Sequence, residues 1–165
     1  MKKFLCSILL LIIITSSINA QSCDKIAVVN MSKIFNQSSK RIIASKKIEN
    51  EFKGRASELQ FLENKLYEKI QDFKKNRATM RPSERNKIEK SILEEREIFT
   101  NKAQIFEQEN HRRQIEERKK IINYIENIVK HISRKRKYEL VIDSNSIVYA
   151  LNAKDITIDV LNQVK

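Results

Sequence analysis

Glycine and proline are almost missing from this chain, with one of each among 165 residues. Tight turns and helix breaks draw on those two residues, so few of either are expected and long helices are favoured. Tryptophan is absent and aromatics reach only 7%, which leaves little material for a large compact core. The single glycine, Gly54, sits inside a helical pattern, so no glycine-rich phosphate loop is present. His111 and His131 lie on charged helical stretches without a Ser or Cys motif beside them. Adjacent acids such as Glu94 and Glu95, or Glu116 and Glu117, diverge around a helix instead of converging on a substrate. With only two cysteines, a zinc site has too few ligands. No enzyme activity, cofactor or metal centre is expected.

Charge is what the chain has in excess. Charged residues make up 33%, the net charge is +12 and the mean hydropathy is −0.52. Residues 1–20 carry the pattern of an export signal: Lys2 and Lys3, then an apolar run from Phe4 to Ile14, then a polar exit ending at Ala20. That run stops well short of the roughly 20 apolar residues that span a membrane. Cleavage after Ala20 is expected; it removes two lysines and no acid, leaving +10. Cys6 leaves with the signal. Cys23 then stands alone, so no intrachain disulfide is expected. A lipid on Cys23 would need a small residue two positions ahead, where bulky Gln21 stands.

Lys25 to Val29 reads as a short buried strand. Ser32, ahead of Ile34 and Phe35, is expected to cap a short helix. From Ile48 to Phe73, apolar residues recur at a mean step of about 3.57, between the values for a coiled-coil seam and a straight helix. The one proline, Pro82, lies in the polar stretch 76–86, so one helix should end near Asn76 and another begin near Pro82. A second apolar stripe follows: Ile88, Ile92, Phe99, Ala103, Phe106, Ile115, Ile121, Ile122, Ile125, Val129 and Ile132. Glu95, Asn110 and Arg113 interrupt it, which points to loosely packed arms. Leu140–Ile142 and Ile147–Ala150 bracket Asp143–Ser146 and are expected to pair as a β-hairpin. Asp155 should cap a last helix bearing Ile156, Val160, Leu161 and Val164.

The fold expected is α+β, mostly α: a small β-rich body from 21–45 and 133–165, with a long antiparallel helical-hairpin arm, 46–132, inserted in it and its tip near 76–84. A body this size falls below about 70 residues, where one core rarely suffices without association. Basic residues crowd the tip: Lys74, Lys75, Arg77, Arg81, Arg85, Lys87 and Lys90 meet only Glu84 and Glu89 across 74–90, a balance of +5. A charge run usually means a solvated face, but a projecting tip is also placed for contact with anionic surfaces.

The stretches KIAVVNM (25–31), ENEFKGRASELQ (49–60), KAQIFEQ (102–108), RR (112–113), EER (116–118), LVIDSN (140–145) and KDITIDVLNQVK (154–165) resemble the Skp/OmpH family of periplasmic chaperones. The likeness covers essentially all of 24–165. It implies a homotrimer whose arms project around a cavity and hold unfolded outer-membrane β-barrel proteins without ATP. It also implies a lipopolysaccharide-binding motif, which local matching puts on Lys102, Arg112 and Arg113. Cys23, the divergent tip and the Ile-, Lys- and Asn-rich composition depart from the family pattern. A nucleic-acid-binding protein is the first rival, suggested by the basic charge; the export signal and scarce aromatics oppose it, and no nucleic acid is expected as a partner. A structural envelope lipoprotein is the second; the poor lipid-attachment site and the interrupted stripe oppose it.

Overall fold

The computed structural model describes residues 25–164. The export signal, its cleavage point and Cys23 lie outside those residues. The fold is mostly helical with a small sheet. Strand β1 (Ile26–Val29) leads into helix α1 (Met31–Gln37) and then α2 (Ser39–Asn76). Helix α3 (Pro82–Arg136) returns to strand β2 (Leu140–Asp143). A 3-10 turn (Ser144–Ser146), strand β3 (Lys154–Asp155) and helix α4 (Thr157–Val164) complete it.

The breaks follow local chemistry. Helix α2 ends at Asn76 and α3 has Pro82 in its first turn, where the missing proline N–H costs nothing. Lys74 and Lys75 lie in the last turn of α2, where cations oppose the negative end of the helix dipole. Helix α3 stops at Lys137, the one non-glycine with positive φ among the described residues (60°). Its successor Tyr138 donates its N–H back to the Ser133 carbonyl, the pattern of a left-handed C-terminal cap. Helix α1 is capped by Asn30, whose Oδ1 accepts the Lys33 N–H at 2.7 Å, and not by Ser32. Ser32 lies inside the first turn and accepts a bond from Asn145 Nδ2 instead. Asp155 accepts the Thr157 N–H at 2.8 Å and so starts α4.

The expected β-hairpin does not form. β2 and β3 both pair in parallel with β1, giving the order β2-β1-β3 with Ala27 opposite Val141 on one side and Lys154 on the other. Ile147–Ala150 is not a strand, and the Val148 side chain is fully exposed (105%). Two causes act together. Asp143 Oδ1 accepts the Asn145 N–H (3.2 Å) and the Met31 N–H (3.4 Å), which bends the chain into a 3-10 turn and ties it to α1. The strand with a fully buried face is β1, through Ala27 and Val29, so it takes the centre. Parallel neighbours need a long crossover, which α1, α2 and α3 supply between β1 and β2.

Ala27, Val29, Ile34, Ala44, Ile121, Ile125, Ile132, Ile156, Val160, Leu161 and Val164 form one buried cluster. Every expected apolar residue of α4 faces it. The far parts of α2 and α3 pack on a separate seam in which Phe52, Leu66 and Ile92 are buried. Phe52 meets Phe106 edge-on, with ring centroids 5.6 Å apart at 82°. Truncating a buried phenylalanine of this kind costs about 3–5 kcal/mol. Ile115, expected in the stripe, is exposed (53%). At that level the face toward α2 is taken by Arg113 and Glu117, which leaves Ile115 on the other side of the helix.

Candidate functional site

Polar interruptions of the seam are where α2 and α3 grip each other. Lys69 Nζ reaches Glu95 Oε1 at 2.5 Å and Ser91 Oγ at 2.5 Å. Arg55 pairs with Glu109, and Lys102 with Glu58. Arg77 lies 3.4 Å from Glu89. Partners on α3 fall in number as those on α2 rise, so one register runs along the pair. The Lys69 ammonium holds the Glu95 carboxyl below its ordinary value, and the Lys102 ammonium does the same for Glu58.

Arg113 is the most enclosed of these cations, its side chain 14% exposed. Its Nε and Nη2 donate to both oxygens of Glu51 (3.1 and 3.2 Å). Its Nη1 donates to Glu116 (2.6 Å) and Nη2 also to Glu117 (3.2 Å). Those carboxylates, Glu51 first, raise the Arg113 pKa further above its usual value. Arg113, helped by Arg112, holds Glu116 low. Lys120 is the main cause that lowers Glu117, with Arg113 adding to it.

The residues assigned by resemblance to lipopolysaccharide are thus placed as follows. Arg112 and Arg113 share the Glu116 carboxylate, Arg112 from 2.6 Å. Lys102 lies about 15 Å farther along the helix axis, on Glu58. The structure brings two of the three together, and each already has a carboxylate partner. The tip differs. Arg77 pairs with Glu89 and stacks over Phe73 at 5.9 Å. Lys74, Lys75, Arg81, Arg85 and Lys87 have no carboxylate within 4.0 Å among the described residues. Unassigned by the sequence are the exposed apolar side chains along the pair, Phe61, Tyr67, Leu93, Ile98 and Ile105. They fall off the two apolar stripes read in 48–73 and 88–132, and that was the available signal for them.

Residues 25–164 match the family model described as outer membrane protein (OmpH-like). The chain belongs to the OmpH-like family. Its OmpH-like relatives include the chaperone protein Skp of Pectobacterium atrosepticum, 52% identical over the whole of both chains. Skp of Yersinia enterocolitica is 47% identical over the same extent, and that of Escherichia coli 43%. A solved OmpH-like outer membrane chaperone from Caulobacter crescentus shares the fold, with a TM-score of 0.71 at 11% identity. That match covers 87% of this chain and 85% of the other.

Proposed function

We propose that this OmpH-like chain is an ATP-independent holding chaperone of the periplasm that binds unfolded outer-membrane β-barrel proteins before insertion. The observation that carries it is the full-length identity to Skp chaperones, 52% to that of Pectobacterium atrosepticum. Geometry supplies the means. Residues 46–132 form an antiparallel arm with exposed Phe61, Tyr67, Leu93, Ile98 and Ile105, and an unfolded barrel strand exposes apolar residues that would otherwise aggregate. Many weak contacts sum to tight holding, and none needs to be specific.

Residues 21–45 and 133–165 make the body, and the molecule is a homotrimer through it. Exposed Val148, Tyr149 and Leu151, in the segment between β2 and β3 whose outer edges no strand covers among the described residues, support that association. Residues 1–20 direct export and are removed after Ala20. The basic tip, the pair Arg112 and Arg113, and Lys102 farther along the same helix contact lipopolysaccharide or an anionic membrane surface. Binding at these residues requires an anion to displace Glu58 from Lys102, and Glu51 and Glu116 from Arg112 and Arg113. The test is light scattering from a urea-unfolded outer-membrane barrel protein diluted into buffer with the mature chain. Suppression near one trimer per client is expected; scattering as high as in buffer alone refutes the function.

A further inference from the structure

A groove of about 340 Å³ opens where α1, α2 and α3 converge. Its floor is apolar, made by Phe35, Ala44, Ile48 and Ile121, and two arginines, Arg41 and Arg118, stand at its rim. Neither arginine has a carboxylate within 4.0 Å among the described residues. The acid that lines the groove, Glu117, is committed to Arg113, Lys120 and Lys47. Arg118 lies over the Phe35 ring at 4.7 Å. A guanidinium held over an aromatic face keeps its full charge for an anion. Ser45 and Gln114 add polar groups at the same rim.

We propose that this groove binds an anionic amphiphile with one alkyl chain, its phosphate monoester headgroup held between Arg41 and Arg118 and its first methylenes laid over Phe35 and Ile48. Guanidinium matches phosphate in charge and in paired-donor geometry. The volume stands at the low end of the range for ligand pockets, which suits a headgroup and the first part of one chain. The apolar floor distinguishes the ligand from free phosphate, and the arginines distinguish it from a neutral detergent. None of Lys102, Arg112 and Arg113 lines the groove; Arg113 reaches it only through Glu117, so Lys102 and Arg112 are the residues that separate the two sites.

The test is calorimetric titration of the mature chain with decyl phosphate below its aggregation concentration. Saturable binding at one site per chain is expected, with inorganic phosphate and decyl glucoside each weaker by about tenfold or more. The double variant Arg41→Gln, Arg118→Gln should weaken decyl phosphate by about tenfold or more, each lost charge-assisted bond contributing. Ser45→Trp, which fills the groove without changing charge, should weaken it comparably, with circular dichroism confirming the fold of both variants. The variant Lys102→Gln, Arg112→Gln should bind as the parent does. Undiminished binding by the double arginine variant or by Ser45→Trp overturns the proposal. So does equal affinity for inorganic phosphate or decyl glucoside. Loss of binding in Lys102→Gln, Arg112→Gln places the ligand elsewhere and also overturns it.

Discussion

Gly54→Ala tests whether looseness of the helical pair serves client capture. Gly54 lies near the middle of α2 on its exposed side, with a negative φ. A Cβ added there meets nothing within 4 Å, so no clash offsets the gain in helix propensity, about 1 kcal/mol. At about 1.4 kcal/mol per factor of ten, local opening of α2 should become about fivefold rarer. Amide exchange across 46–62, in the regime that reports opening equilibria, should slow by about that factor. Amides of β1 and α4 should not change, because they belong to the separate cluster of Ala27, Val29, Val160 and Leu161. The stiffened protein should suppress aggregation of a small barrel client as before and of a bulky one less well. Exchange slowed by less than about twofold would show that α2 propensity does not govern opening. Slowed exchange with undiminished capture of the bulky client would refute the link between looseness and client range.

Lys137→Gly should raise the thermal midpoint by about 2–4 °C, since it relieves a left-handed backbone cost of about 1 kcal/mol; calorimetry checks this, and a lower midpoint would refute it. Folding depresses the carboxyls of Glu58, Glu95, Glu116 and Glu117 below 4.5. Their stabilisation of the pair is therefore complete above that value and lost as pH falls through their folded pKa values. Exchange across 50–117 should stay constant, after correction for intrinsic rates, from neutrality down to about that point and rise below it. Lys74→Gln with Lys75→Gln and Arg81→Gln should weaken binding to anionic vesicles at low salt, where the Debye length is long, and change little once it falls to a few Å near 1 M; equal binding at low salt would make the tip a solvated face.

Helix positions were legible in the sequence because they depend on local chemistry. A stripe at a step of about 3.57, a polar stretch around Asn76 and a proline at position 82 are each read within one or two turns. Asp155 as the start of α4, and Ile156, Val160, Leu161 and Val164 as its buried face, were legible for the same reason. Strand partners were not, because hydrogen-bonding partners are chosen by burial and not by sequence distance. Leu140–Ile142 and Ile147–Ala150 look like a hairpin in isolation, but β1, with its buried Ala27 and Val29, draws β2 and β3 to its two edges. Glu95 and Arg113 read as flaws in a seam when each helix is considered alone. Lys69 and Glu51 stand opposite them only once the turn after Asn76 sets the register between α2 and α3. The groove under Arg41 and Arg118 likewise exists only where three helices meet, because side chains from positions as far apart as Phe35 and Ile121 share a surface only after the chain has doubled back.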